Sequence, residues 1–432
     1  MSITAVVWLA LFAISLLGAW FNPVYGLFGY LLEYFQRPAL HWWGKGGALP
    51  DLRWNFTIAL VASAAYLLRR SSMTPFRRDT NVGLILLLLQ AINTTIVSTW
   101  AVAPELSWHW SGQVWKLVVC YMLFSGIIRD PKTLDLAILF QIAGAAWWGW
   151  DALDSTRTHS RLEGIGSGDT KNPNMLAAHL VTIIPLTITF IALKRPKWMR
   201  AVALVSLPLI LNLLVLANSR GGTLGLVATG AAGFVLIRNG FRRWMVIGAI
   251  AGLGALWVLA DPEYLARQQT IVTPEDNSAQ TRLVLWRGSA AMLKDYPFGV
   301  GGRGFQLLSP RYVPELRDTK DGEGRSSHNT YIQVAADWGI QGFLLFVALI
   351  GYTFVLLHRI RRERASPDVI YFISLAIQLG LIGTLTSACF SVRFYGESIY
   401  WLCGLSVALY RMTGPEVIAE HERDATEQSA AA

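Results

Sequence analysis

The chain reads as an all-α polytopic membrane protein of about twelve transmembrane helices with one long polar loop, on three observations. Apolar runs of about 20 residues recur between short charged stretches, the length needed to cross a bilayer as helix. Only 15% of the 432 residues are charged, where soluble domains carry about a quarter, and mean hydropathy is +0.40. The net charge of +9 is gathered into alternate loops. Cys120, Cys389 and Cys403 fall inside apolar runs, so no disulfide framework is implied.

Taken in order, the spans are expected at 3–21, 53–69, 81–102, 112–128, 133–150, 175–193, 199–217, 221–237, 243–260, 339–358, 369–390 and 395–412. The first run lacks a basic flank and a small-residue cleavage site, so it is expected to be a retained helix and not a removable signal. The piece 24–35 follows Asn22-Pro23 and is too short to cross. It reads as a half-helix or interfacial segment leading into the Trp- and Gly-rich His41-Trp42-Trp43-Gly44.

Basic residues in the short loops set the orientation. One face collects Arg69, Arg70, Arg77 and Arg78, then Arg129 and Lys132, then Lys194, Arg195, Lys197 and Arg200. Arg238, Arg242 and Arg243, and finally Arg359, Arg361, Arg362 and Arg364, continue the set. That face is expected to be cytoplasmic, with both termini on it. Residues 1–412 form the membrane domain, and 413–432 a polar cytoplasmic tail.

The opposite face carries 104–112, 151–174, 218–222, the long loop 261–338 and 391–397. Arg161, Lys171, Arg220, Arg282, Arg287, Arg303, Arg325 and Arg393 lie there, against the positive-inside bias. Two readings fit: an anionic ligand keeps them, or long loops cross regardless of charge. The second covers Arg303 and Arg317 better than Arg220 and Arg393, which sit in very short loops. Polar residues within the spans, such as Asn93, Gln141, Asn212 and Gln378, are neutral. Coupled transporters place ionisable groups near the midplane, so chemistry at one face is favoured over transport.

Four short constellations lie on that face. In Asn218-Ser219-Arg220-Gly221-Gly222 the glycines either open backbone amides to an anion beside Arg220 or only make a tight turn. Ser278 is expected to cap a helix from Ala279 to Asp295 whose apolar face is Leu283, Trp286, Ala290 and Leu293. Arg282 and Arg287 lie about 140° apart on it at roughly 100° per residue, so one faces inward, and Arg282 is the expected one. Gly299, Gly301 and Gly304 spell G-x-G-x-x-G, but no βαβ unit surrounds them, which excludes a dinucleotide fold. Their loop either re-enters toward the bilayer with amides facing phosphate or is a structural turn. Ser326-Ser327-His328-Asn329-Thr330-Tyr331 is expected to open a short helix running to Trp338. His328 in its first turn would be kept neutral by the helix dipole, as a general base must be; it would otherwise be a cap or surface residue. His159 and His109 share the face without comparable neighbours. Neither H-x-x-E-H nor Cys-His metal spacing occurs, which disfavours metal-dependent chemistry.

These four stretches, in this order, resemble the bacterial O-antigen ligase superfamily, which includes polysaccharide polymerases and protein O-oligosaccharyltransferases. The residues that carry the likeness are Asn218-Ser-Arg-Gly-Gly222, Thr281-Arg282-Leu-Val-Leu-Trp286, Tyr296-Pro-Phe-Gly-Val-Gly-Gly-Arg-Gly-Phe305 and Ser327-His328-Asn329-Thr-Tyr331. The likeness is best from about Leu180 to Cys389. The broken first hairpin and Trp-rich loop are similar, more weakly, to the exosortase-associated O-glycosylation ligase branch.

The resemblance implies an inner-membrane glycosyltransferase with its long loop in the periplasm. It would move an oligo- or polysaccharide from undecaprenyl pyrophosphate to an acceptor hydroxyl on lipid A core, protein or another glycan, with inversion and with no cofactor or metal. Arg220 and Arg282 would hold the pyrophosphate and His328 would activate the acceptor. Arg287, Arg303, Asn329, Tyr331, Arg161, Lys171 and Arg393 would be further substrate contacts. Arg303 stands where many relatives carry a small or apolar residue, which leaves its role open. The rivals are a Wzy-like polymerase, whose acceptor is a second lipid-linked repeat, and a lipid-linked glycan transporter that makes no bond.

Overall fold

The computed structural model describes residues 2–44, 52–76, 78, 80–155, 161–269, 277–316, 325–363 and 368–413. Arg77, His159, Arg317, Arg364, the side chain of Ser278 and the tail beyond Thr413 lie outside these.

The described residues are helical, with no strand. In chain order the helices are α1 (Ile3–Ala19), α2 (Pro23–Phe35), α3 (Trp54–Arg69), α4 (Val82–Ser98), α5 (Pro104–Ile127) and α6 (Pro131–Asp151). There follow α7 (Pro173–Ala192), α8 (Lys197–Ala217), α9 (Arg220–Leu236), α10 (Arg242–Leu259), α11 (Pro262–Gln269) and α12 (Asn277–Asp295). The last four are α13 (Gly304–Tyr312), α14 (Thr330–Arg362), α15 (Asp368–Ser387) and α16 (Glu397–Met412). Starts are marked by proline at the first helical position, as at Pro23, Pro104, Pro131 and Pro173, where the missing N–H costs nothing. Side-chain caps reinforce them: Asp130 accepts from the Thr133 amide at 2.8 Å and Asn22 from Val24 at 3.0 Å.

A helix lies in each stretch expected to span. Five are long and apolar enough to cross a membrane by length and composition: α7, α8, α14, α15 and the helical stretch Asn239–Leu259 that contains α10. Two shorter apolar helices are α1 and α4. The decisive helix is α10, which buries none of its residues. Leu253, Trp257 and Val258 are 67%, 73% and 83% exposed. A helix this apolar, resting on α8 and α9 along one side and bare elsewhere, is stable only against lipid, and the chain is a multi-pass membrane protein. At the other extreme α16 is buried from Ser398 to Leu409 and forms the axis of the bundle.

Contacts sort the loops into two ends. At one, Arg195 pairs with Asp135 at 2.6 Å, Arg238 with Asp368 at 3.0 Å and Arg78 with Glu363. The same end has Arg411 donating to the Ser125 and Thr80 carbonyls at 2.7 and 2.8 Å. At the other end Val102 donates to the Val300 carbonyl, Leu162 to Leu216 and Thr330 to Ala388, at 3.0, 3.0 and 2.8 Å. The two sets of alternate loops read from the sequence are therefore separate in space.

Two expectations are corrected and a third holds. The segment 24–35 is a half-helix, but it is not interfacial: Tyr30 and Tyr34 of α2 are buried among Trp401, Trp148 and the fully buried His179 of α7. The inward face of α12 is Leu285, Ser289 and Met292, while Leu283 is 51% exposed, because α12 packs over α13 and α14. The short helix that follows His328 does end at Trp338, as expected: Gly339 (φ 78°, ψ 172°) is non-helical and bends the chain into a second helix that continues to Arg362.

Only glycine adopts that backbone conformation readily. A Cβ there would also meet the Gln341 amide and the Phe298 carbonyl carbon. Gly339→Ala is expected to cost about 1–3 kcal/mol, read as a lower melting temperature in detergent. Gly351→Ala, on the same helix with open space around it, should be neutral or stabilising by up to about 1 kcal/mol. Equal melting temperatures for the two would refute the strain assigned to Gly339.

Candidate active site

The turn between α8 and α9 is the floor of the site. Asn218 ends α8 in the left-handed conformation (φ 46°) and is fully buried. Ser219 caps α9 by accepting from the Gly222 amide at 3.3 Å. Gly221 and Gly222 let the helix approach Phe390 and Ala177 closely, so these glycines serve helix packing. Arg220 is the first residue of α9, half-buried.

Around that turn the other loops are tied on. The hydroxyl of Ser219 donates to Asn174 Oδ1 at 2.9 Å, and Arg161 Nη2 donates to the same oxygen at 2.7 Å. From α11, Tyr264 shares a 3.0 Å hydrogen bond with Thr223, and Gln268 donates to Asn218 Oδ1 at 3.3 Å. The result is a concentration of positive charge. Burial, then the charges of Arg267, Arg220 and Arg282, push the Arg161 pKa down to about 10 against an opposing pull from Glu163. Arg161 thus stays cationic at pH 7, but in the field of three other guanidinium groups.

Arg282 reaches this cluster from α12. Its guanidinium carbon lies 5.7 Å from the centre of the Phe390 ring, a distance at which a cation is attracted to the aromatic face. Arg287 points outward and is exposed. Of the two arginines it is therefore Arg282 that faces His328.

His328 does not sit in the first turn of a helix. Asn329 is the cap of α14 and His328 precedes it, with a left-handed backbone (φ 50°). The helix-dipole account is therefore replaced by another. Crowding by protein around the ring, then the charges of Arg282 and Arg325, lower the His328 pKa below its ordinary 6.5. The imidazole is neutral at pH 7 and still exposed at the surface.

The remaining expected contacts divide. Asn329 Oδ1 is occupied by the Tyr331 and Ile332 amides at 3.0 and 3.2 Å, and the Tyr331 hydroxyl donates to the Leu385 carbonyl at 2.9 Å. Both position α14, and of the Asn329 side chain it is the Oδ1 that this role takes up. Arg393 is buried (1% exposed) and donates to the Asp169 carbonyl at 2.9 Å and to Ser398 at 3.2 Å. It clamps two loops together and is withdrawn as an anion contact. Arg303 turns to Gln306 of its own helix at 2.8 Å and is exposed. Lys171 is exposed on the loop that carries Arg161.

The glycine loop is structural. Gly299, Gly301 and Gly304 donate to Tyr296, Asp337 and Gly301 carbonyls at 3.0, 2.8 and 2.9 Å, and Gly302 donates to the Ser107 hydroxyl at 3.0 Å. With these amides occupied by protein, the phosphate-cradle alternative falls away. Gly299 and Gly301 both have φ of 91° and pass too close to α14 and to Ala101 to carry a side chain.

An apolar groove of about 290 Å³ lies between α12 and α14. It runs from Trp286 and Tyr331 to Ile340 and Phe343, beyond the bend. A wider cavity of about 720 Å³, bordered by His358, Arg362 and Tyr410, lies at the opposite end of the bundle and meets none of these residues.

Residues 204–347 match the family model described as O-Antigen ligase. This match, which spans a third of the chain, supports membership of the O-antigen ligase superfamily. The matched segment runs from α8 into α14 and contains Arg220, Arg282 and His328, while Arg161 lies before it and Arg393 after it. No curated protein matches the chain. The match points to a glycan ligase or polymerase, an enzyme of glycosyltransferase type.

Arg267 and Asn174 were not singled out by sequence. A lone arginine in a polar loop and a lone asparagine near a helix start carry no spacing signal, and only the fold brings them to the α8–α9 turn. Removing the Arg282 charge should raise the His328 pKa, since a nearby cation disfavours imidazolium. An NMR titration of histidine rings in detergent should show the His328 midpoint move up in Arg282→Ala and stay in Arg287→Ala. Equal behaviour of the two variants would contradict the orientation given to α12.

Proposed function

We propose that the protein transfers an oligo- or polysaccharide from undecaprenyl pyrophosphate to an acceptor hydroxyl, such as one on lipid A core, at the periplasmic face of the inner membrane. One observation carries the reading: Arg161, Arg220, Arg267 and Arg282 share one electrostatic neighbourhood, and the last of them borders a neutral His328. A lipid diphosphate is the anion that suits such a group at the edge of a bilayer, because its charge needs several fixed donors and its tail needs lipid. The groove between α12 and α14 offers apolar surface on the helix that carries Arg282 and the helix that follows His328.

In this reading the acceptor O–H gives its proton to His328 as its oxygen attacks the anomeric carbon. The bond from that carbon to the phosphate oxygen breaks, and configuration inverts. The electron pair leaves with undecaprenyl pyrophosphate, whose growing charge is met by Arg220 and Arg282 without reorganisation. Arg161, Arg267 and Lys171 add to the field that draws the donor in. In this reading twelve spans put the long loop outside and both termini with the 413–432 tail in the cytoplasm, a topology supported by the basic residues gathered at one end of the bundle.

Purified protein in liposomes, given an undecaprenyl-pyrophosphate-linked oligosaccharide and lipopolysaccharide core, tests this. Transfer to the core is expected. Chain extension in its place would make the protein a polymerase, and movement of donor across the bilayer without a new bond would make it a transporter. His328→Ala should lower transfer by about 10²-fold or more with donor binding unchanged. Arg220→Ala and Arg282→Ala should each weaken donor binding about tenfold or more; unchanged affinity in both would remove the arginines from the donor site.

A further inference from the structure

His328 holds a backbone conformation that a non-glycine residue adopts at a cost, so something must hold it there. The neighbouring residues form a directed chain of hydrogen bonds. Asp337, buried at 2% exposure, lies two turns along α14. Its Oδ1 accepts from the Phe305 amide at 3.0 Å and its Oδ2 accepts from Gln333 Nε2 at 2.8 Å. That donation leaves Gln333 Oε1 facing the other way, where it accepts from the Ser327 amide at 3.3 Å and the Ser327 hydroxyl at 3.0 Å. Ser327 Oγ also accepts from the Asn329 amide at 3.3 Å, and the Ser327 carbonyl accepts from Trp286 Nε1 at 3.0 Å. Both residues flanking His328 are therefore pinned, and the pinning runs back to one carboxylate.

We infer that Asp337 is a positioning residue for His328: by orienting Gln333 it fixes Ser327, and so fixes the backbone that presents the imidazole beside Arg282. The same carboxylate holds the start of α13 through Phe305, so it registers the glycine loop against the catalytic segment. The inference rests on the reading of His328 as the base. It adds a residue that touches no substrate yet sets the geometry of the one that does.

The direction of the bonds makes this testable. In Asp337→Asn the Phe305 amide still needs an acceptor, which keeps the new carbonyl oxygen where Oδ1 was and turns the new –NH2 toward Gln333. Two donors then face each other. Gln333 must flip, which turns its own –NH2 onto the Ser327 amide and leaves that N–H unsatisfied. Adding Gln333→Glu restores every donor–acceptor pair and returns the chain to one carboxylate, now at position 333.

Asp337→Asn should therefore lower kcat for transfer from undecaprenyl-pyrophosphate-linked oligosaccharide to lipopolysaccharide core by about 10²-fold, with KM for the donor little changed. The His328 ring, measured by NMR titration without substrate, should titrate at higher pH as it moves out of the field of Arg282. The double variant Asp337→Asn/Gln333→Glu should recover both. Wild-type kcat and ring titration in folded Asp337→Asn, or no recovery in a folded double variant, would overturn the inference. If Asp337→Asn fails to fold, Ser327→Ala decides: an unchanged His328 titration and kcat would overturn it, and a fall in kcat with an upward shift would support it. Full activity in His328→Ala would instead sink the reading of His328 as base, whatever the titrations show.

Discussion

Like charges repel, and four guanidinium groups within one another's field must be held there by the rest of the fold. That constraint explains the construction at this end of the bundle. Arg220 is fixed by a capped helix start, Arg161 by Asn174, Arg282 by the Phe390 ring and by the seat of α12 on α13 and α14. Arg267 rides on α11, which is tied to the α8–α9 turn through Tyr264 and Gln268. Each tether uses buried hydrogen bonds or packing in a protein-covered corner, where the repulsion is least screened.

The helices were legible because hydropathy and span length are one-dimensional properties. The segregation of basic loops was legible for the same reason. Most starts fell within a few residues of those expected, but 104–112, read as a loop, forms the first turns of α5 because its polar residues hide the helix from a hydropathy reading. Arg220, Arg282 and His328 could be named from short motifs and from a family likeness, and Arg282 could be preferred over Arg287 from helical period alone. What the chain hid depends on directions in space. Whether Arg393 reaches outward or back to Asp169, and whether the Gly299–Gly304 amides face a ligand or Asp337 and Ser107, is decided by residues distant in sequence. The apolar face of α12 was misread because Leu283 and Leu285 differ by two positions, and only α13 settles which of them is covered.

The bend at Gly339 joins two environments. Before it, α14 carries the polar chain Ser327–Gln333–Asp337; beyond it, the helix is apolar enough to cross a membrane. The glycine loop is hydrogen-bonded to this joint through Ala336, Asp337 and Ile340. Motion of the membrane part of α14 would therefore reach the loop and the histidine segment together.

Because α10 rests on α8 and α9 along one side only and leaves the rest of its surface to lipid, the surrounding bilayer bears on its depth, and α11 with Arg267 follows it after only Ala260 and Asp261. Acyl-chain thickness thereby acts on one member of the cation cluster from outside the polypeptide. A thicker or thinner leaflet would pull Arg267 against the anchors at Thr223 and Asn218. The bilayer is in this sense a structural component of the site and not merely its surroundings.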